Sequence, residues 1–178
     1  LNLGEAAATL ILTRRGTDDL RPGDAQLTDG AIRNDANHIS GPSRTGEGCF
    51  RALRHILRDI PAERLTDEIA FVNAHGTATP YNDEMESIAL TRAGLDRVPV
   101  NSLKGYFGHT LGAAGILETI LAVRALRAGI VLRTQGFETL GVTHPIRITD
   151  TTAPITAHRC VKMLSGFGGC NAALLLTL

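Results

Sequence analysis

Aromatic residues are scarce in this chain, which has two Tyr, five Phe and no Trp among 178 residues. So few rings leave no platform on which single-stranded nucleic acid stacks. Excess charge of one sign is absent as well, because 18 Lys plus Arg balance 18 Asp plus Glu. Nothing then supplies the phosphate attraction on which sequence-independent nucleic-acid binding depends. Long hydrophobic runs are missing: the longest candidate, 111–123, is broken by Glu118 and Thr119, short of the roughly 18 apolar residues of a membrane span. Cysteine is sparse, and Cys49, Cys160 and Cys170 are odd in number and unclustered. Reduced thiols in a cytoplasm fit that usage better than a secreted disulfide framework. The histidines at 38, 55, 75, 109, 144 and 158 offer none of the short spacings that hold a metal. Lys104 is followed by Gly105-Tyr106, which excludes a phosphate-binding loop ending in Gly-Lys-Ser or Gly-Lys-Thr.

What is present suits one core. The length is that of a single domain, and 43% hydrophobic residues with 19 Gly are enough to fold without disulfides or a structural metal. Leu1 stands where an initiator Met is expected, and 1–12 reads as buried structure, so the chain is expected to be cut from a longer one. Ala6 to Leu12 predicts a buried strand that ends at Arg14-Arg15-Gly16, and Gly16 to Gln26 a polar loop. Turn formers fill 34–48, after which Phe50, Leu53, Ile56 and Leu57 recur at helical spacing up to Asp59. Ile69 to Asn73 predicts a strand, with a loop through Gly76 and a helix carrying Met85, Ile88, Ala89 and Ala93. The pattern then repeats, with a strand over Val98–Asn101, a Gly-punctuated loop over Ser102–His109 and a helix over Leu111–Leu126. That helix is apolar nearly all round, which predicts burial. Two strand–loop–helix units imply an α/β domain with parallel strands and ligands at their carboxyl ends. Cys160–Leu164 and Ala172–Leu178 predict two strands joined by the loop Ser165–Asn171.

Three groups of residues have the chemistry of a site. In Asn73-Ala74-His75-Gly76-Thr77-Ala78-Thr79-Pro80, a His just past a strand stands beside a Gly that clears space and two hydroxyls. In Asn101–Gly115, Lys104 and His109 precede a helix whose first turn is thin. A helix N-terminus and a nearby Lys both disfavour imidazolium, leaving a neutral N–H donor suited to an oxyanion or enolate. Glu118 is a plausible ion-pair partner for Lys104. A satisfied structural His, a helix-capping His and a surface Lys are the alternatives for the same residues. Asp83 and Glu86, three apart, read either as a carboxylate pair or as acids at a helix start.

Taken in order and separation, Asn73–Thr79 (NAHGTAT), Asp83 and Glu86, Asn101–Gly115 (NSLKGYFGHTLGAAG) and Gly166–Ala172 (GFGGCNA) resemble the C-terminal half of β-ketoacyl-acyl carrier protein synthases. These are the condensing enzymes of fatty-acid and polyketide synthesis. The resemblance covers almost the whole chain and implies the C-terminal half of a thiolase-like fold, α/β with a mixed sheet and helices packed on it. Residues 1–14 resemble the last strand of the preceding half, and 15–178 the C-terminal domain. It also implies roles: His75 and His109 as catalytic histidines, Lys104 as the active-site lysine, and Glu118 as the glutamate that holds it. Phe167 resembles the gate of the acyl pocket, its N–H half of an oxyanion hole, and Thr77 and Thr79 resemble contacts to the phosphopantetheine arm. The implied reaction is decarboxylative Claisen condensation of malonyl-acyl carrier protein with a Cys-bound acyl chain, with no metal or redox cofactor. The implied partners are acyl carrier protein and a second ketosynthase-type chain, in a homodimer or heterodimer.

Two departures stand out. No Cys here lies in surroundings resembling those of the nucleophile, and Cys170 stands where the family often has Thr, so all three thiols read as structural. The nucleophile is expected outside this chain, and the 178 residues alone are expected not to condense acyl groups. Ser165 stands where many members carry Phe, which bears on the gate and on chain-length preference. A non-catalytic partner resembling chain-length factors is the competing reading; His75, Lys104 and His109 together favour catalysis. Arg-rich stretches such as Arg51, Arg54 and Arg58 offer a local basic patch for the acidic carrier protein.

Overall fold

Every residue of the run IAFVN is buried, which a strand achieves only where both faces of its sheet are covered. In the computed structural model, which describes residues 1–14 and 19–178, this run is β2 (Ile69–Asn73). Before it lie β1 (Gln26–Asn34), α1 (Glu47–Ile56) and the single turn α2 (Leu65–Glu68). After it come α3 (Pro80–Arg92), β3 (Val100–Asn101), the short α4 (Lys104–Phe107) and α5 (Ala114–Arg127). The ribbon β4 (Ile130–Val131) with β5 (Ala153–Pro154) leads to β6 (Arg159–Gly166) and β7 (Cys170–Thr177).

Five strands form one sheet in the order β1-β7-β6-β2-β3. Within it β2 is parallel to β3 and β6, while β6 with β7 and β7 with β1 are antiparallel. The expected mixed α/β sheet is therefore present. Alternation along the strands divides the core. Val72, Val161, Met163, Ala173 and Leu175 join α1 and α3 in one apolar cluster. Phe71, Cys160 and Leu176 join Ala122, Ala125 and Leu126 of α5 in another. Pro80 opens α3 at a first-turn position, where its missing N–H costs nothing.

Three expectations need correction. Residues 6–12 form no strand here: nearly all are exposed, with Ile11 at 84%. An apolar run becomes a strand only where a sheet edge receives it, and the bridge in this part of the chain lies before the run, between Leu3 and His109. The boundary at 14/15 adjoins residues 15–18, which with that part of the expected loop lie outside the described residues. Second, α5 is not buried all round. Its Ala114, Glu118, Thr119, Ala122 and Ala125 face inward, while Ile116, Leu117, Ile120, Leu121 and Val123 are half-buried. The small side chains let the helix approach the sheet; a Cβ on Gly115 would sit 3.0 Å from the Leu164 side chain. Third, β1 was not expected. Thr28, Asp29 and Gly30 interrupt its pattern, and its register shifts between Leu27 and Asp29, yet β7 supplies the ladder that an edge strand needs.

Candidate active site

The parallel strands β2 and β3 end side by side, so their following loops emerge together. Asn73 Nδ2 donates to Asn101 Oδ1 at 2.8 Å, and Asn101 Nδ2 donates to the Leu132 carbonyl at 2.9 Å, which pins the two ends. Beyond β2, the buried Glu86 takes the His75 N–H on Oε1 and the Gly76 N–H on Oε2, each at 2.7 Å. Asn82 Nδ2 donates to the same Oε2 at 2.8 Å. Asp83 accepts the amides of Thr77, Thr79 and Ala78, and burial raises its pKa, as it does that of Glu86. The two carboxylates therefore hold the loop that presents His75; they act neither as an acid–base pair nor simply as acids at a helix start.

Gly76 adopts φ +48°, and Ser102 Oγ donates to its carbonyl at 2.7 Å. A Cβ there would lie 2.5 Å from Ser102 Cβ. Gly76→Ala combines that clash with a strained backbone and is expected to destabilise the protein by about 1–3 kcal/mol. A thermal melt beside wild type checks this.

Lys104 is buried on α4, and its ammonium has three partners. It donates to Glu118 Oε1 at 2.7 Å, to the His75 carbonyl at 2.5 Å and to His75 Nδ1 at 3.3 Å. Glu118, wholly buried, is shared: Lys162 of β6 donates to its Oε2 at 2.5 Å and to the Ala74 carbonyl at 3.2 Å. Lys162 was not among the residues singled out in the sequence. Its only signal there is one charge in the apolar run Cys160–Leu164, and alternation alone does not reveal that this position faces Glu118.

His109 is held by the chain's first residues. Its N–H donates to the Asn2 carbonyl at 2.7 Å, and its own carbonyl accepts the Gly4 N–H at 3.0 Å. Only glycine permits this approach at position 4, because a Cβ would lie 1.9 Å from the Phe107 carbonyl oxygen. The Leu111 N–H, at the start of a 3₁₀ turn before α5, donates to His109 Nδ1 at 3.2 Å.

The two rings meet edge to face, with centroids 5.0 Å apart and planes at 82°. Nδ1 accepts a hydrogen bond in each, so each neutral ring carries its proton on Nε2. Burial, then Lys104, Lys162 and His109, lowers the His75 pKa to about 2. Burial also lowers that of His109, as do Lys104 and Lys162, with Glu118 opposing. A helix N-terminus and Lys104 were expected to do this; burial leads, Lys104 acts as expected with Lys162 beside it, and the Leu111 amide contributes the Nδ1 bond. Both imidazoles are neutral N–H donors.

Thr77 and Thr79 lie on the same loop with their hydroxyls 2.7 Å apart. A cavity of about 530 Å³ opens beside Thr77, lined by Gly76, Thr77, Asp83, Glu86, Lys104 and Phe137 among others, and not by Thr79 or by the His75 and His109 rings. Phe167 does not line it. That residue occupies the turn between β6 and β7, 86% exposed, with Gly168 and Gly169 at positive φ. The turn is tied instead to residues 34–39, through Asn34 Nδ2 to the Gly168 carbonyl, the Asp35 N–H to the Gly169 carbonyl, and the Gly168 N–H to the Ile39 carbonyl. His75, Lys104, His109 and Glu118 are thus brought together, and Phe167 is not in contact with them. Burial raises the pKa of Cys49 well up and pushes Cys160 to about 12, which keeps both as inert thiols; Cys170 is exposed. Arg51 and Arg58 are engaged, with Glu47 and Asp29.

Comparison with known proteins gives the same picture. Residues 25–138 match the family described as beta-ketoacyl synthase, C-terminal domain. The mitochondrial 3-oxoacyl-[acyl-carrier-protein] synthase of Arabidopsis thaliana is 33% identical over 97% of this chain and 39% of its own length. The 3-oxoacyl-[acyl-carrier-protein] synthase 2 of Vibrio cholerae is 33% identical over 97% of this chain and 43% of its own. A β-ketoacyl synthase structure from Burkholderia phymatum superposes with a TM-score of 0.77 at 31% identity, covering 86% of this chain and 37% of that one. A ketosynthase in complex with its chain length factor from Xenorhabdus doucetiae gives 0.78 at 31%, covering 86% and 39%. The chain spans less than half the length of each. With its fold, its paired histidines and this match in agreement, the chain belongs to the β-ketoacyl synthase family and carries that family's C-terminal domain.

Proposed function

We propose that the full-length protein is a 3-oxoacyl-acyl carrier protein synthase, catalysing decarboxylative Claisen condensation in fatty-acid or polyketide-type synthesis. This chain would supply the part of its site that receives the malonyl thioester. The observation that carries the reading is the pair of neutral rings with Nδ1 occupied and Nε2–H free to donate. Malonyl loses carbon dioxide as its carboxylate carbon–carbon bond breaks. The electron pair stays on the α-carbon and spreads onto the thioester oxygen. Two Nε2–H donors at that oxygen stabilise the enolate by about 3 kcal/mol each. The enolate carbon then attacks a Cys-bound acyl thioester, and the Cys leaves as thiolate. That Cys lies outside this chain, and the step draws on no metal or redox cofactor.

Lys104 and Glu118 hold His75. Thr77, which lines the 530 Å³ cavity, and Thr79, whose hydroxyl is bonded to that of Thr77, suit the amides of a phosphopantetheine arm. The exposed Phe167 suits a gate, and the flanking glycines leave its N–H accessible to an acyl thioester oxygen. Acyl carrier protein is the partner that delivers both substrates. A homodimer, or a heterodimer with another ketosynthase-type chain, is the assembly we favour, as in the relative solved with its chain length factor. The free cysteines support a reducing compartment such as the cytoplasm. Among the described residues, no helix is long and apolar enough to cross a membrane.

Acyl and malonyl carrier protein supplied to the full-length protein are expected to yield β-ketoacyl product, whereas residues 1–178 alone yield none. A full-length protein that forms no product, with another residue at the nucleophile position, supports the chain-length-factor reading instead. Product from the 178 residues alone contradicts the placement of the nucleophile outside them.

A further inference from the structure

Both lysines of this chain meet at one carboxylate. Of its 18 Lys plus Arg, only positions 104 and 162 are Lys, and all the others are Arg. Arginine stays charged in any surroundings, whereas a buried lysine can exchange its proton near physiological pH. Lysine is therefore used only where the ammonium is enclosed: the Lys162 side chain is 0% exposed and that of Lys104 6%. Strand alternation places Val161 and Met163 in the cluster with α1 and α3, so the intervening Lys162 points to the α5 face. There it bonds the Glu118 oxygen that Lys104 leaves open and the carbonyl of Ala74. Lys104 bonds the next carbonyl, that of His75. Two ammonium groups thus grip consecutive carbonyls behind the His75 ring, on one carboxylate, and one positive charge is left over.

We propose that Lys162 is a second positioning residue of this site, fixing Glu118 and the Ala74 carbonyl so that Lys104 stays on His75 and a positive charge remains behind both imidazoles. The inference rests on the role proposed above for those rings. The groups that act on Lys162 or feel its charge are Glu118 from α5, Lys104 from α4, Glu86 from α3, Cys160 of its own strand, and both imidazoles. Burial lowers its pKa to about 8, with Lys104 acting in the same direction and Glu118 and Glu86 opposing. The extra charge is therefore present at neutral pH and lost as pH rises through that value.

The test uses the full-length protein and two readouts. The first is ring titration by NMR on histidine-labelled protein, which requires no turnover. In wild type, the His109 ring signal is expected to show an inflection near the titration of Lys162. In Lys162→Met, which keeps an unbranched apolar stem, the inflection disappears and His109 titrates higher, toward ordinary histidine. The second readout is malonyl-acyl carrier protein decarboxylation. Lys162→Met is expected to lower kcat roughly tenfold, within the range for coupled residues of one network, with KM little changed. The wild-type rate is expected to fall as pH rises through about 8, where Lys162 gives up its proton, and the variant to show no such fall. A purely structural lysine would alter stability but neither pH profile.

A wild-type His109 titration without the inflection overturns the proposal, and this needs no variant to fold. Wild-type rates and profiles in Lys162→Met overturn it equally. Wild-type protein that shows the inflection but does not decarboxylate malonyl-acyl carrier protein refutes the proposed reaction while supporting the charge relation.

Discussion

Replacing His109 with Ala in the full-length protein is expected to slow malonyl-acyl carrier protein decarboxylation by roughly 10²–10³-fold, the cost of losing one donor to a developing oxyanion. Acyl loading onto the Cys is expected to stay near wild type, because that step does not pass through the malonyl oxygen. The ring is available for removal without collapse: its backbone is held by Asn2 and Gly4, whatever the side chain. Radiolabelled carbon dioxide release and acyl-enzyme mass spectrometry separate the two steps. Lost loading with decarboxylation preserved contradicts the role assigned. The pH dependence has a definite sign. Burial, Lys104 and Lys162 lower the His109 pKa from 6.5, so the donor stays neutral and the rate holds as pH falls through that ordinary value. A decline centred there identifies an imidazole that becomes charged.

Glu118→Leu is expected to have the largest effect on stability. The substitution leaves two buried ammonium groups against each other with no carboxylate in contact, Glu86 acting on them only at longer range. Breaking a buried ion pair from one side costs about 3–5 kcal/mol, against a total of about 5–15 kcal/mol for a typical protein. The loss is expected to be greatest in mild acid. Lys162 titrates at about 8 in the folded protein against an ordinary 10.5. Between those values the unfolded chain binds more protons, so wild-type stability gains from this group as pH rises. In Glu118→Leu the neutral amine is adopted at lower pH still, and the deficit narrows toward alkaline pH. Denaturant melts at acid and alkaline pH measure it; an equal deficit at both contradicts the charge argument.

The sequence made much of this site legible because its residues follow strands. A run such as Ile69–Asn73 announces a strand end, and a loop just beyond it can hold His75 where ligands meet an α/β sheet. Lys104 and Glu118 were legible through their relation to the following helix. Lys162 was not, because its meaning depends on which sheet face α5 covers, a tertiary fact that local spacing does not contain. The same limit explains residues 6–12, whose apolar composition states a need for cover without naming what provides it. It explains β1 as well, where Asp29 and Gly30 mask a strand that β7 supports. Phe167 was placed correctly on a turn between two strands, but its distance from the histidines depends on ties to residues 34–39.

The paired rings are mounted on separate foundations. His75 stands on α3 through Glu86, while His109 hangs from a strap at Asn2–Gly4. A relaxation at one mount need not be transmitted to the other, so the spacing between the rings can be tuned from either side. Lengthening or shortening the strap would retune the spacing of the two rings while the lysine–glutamate buttress behind His75 remained intact.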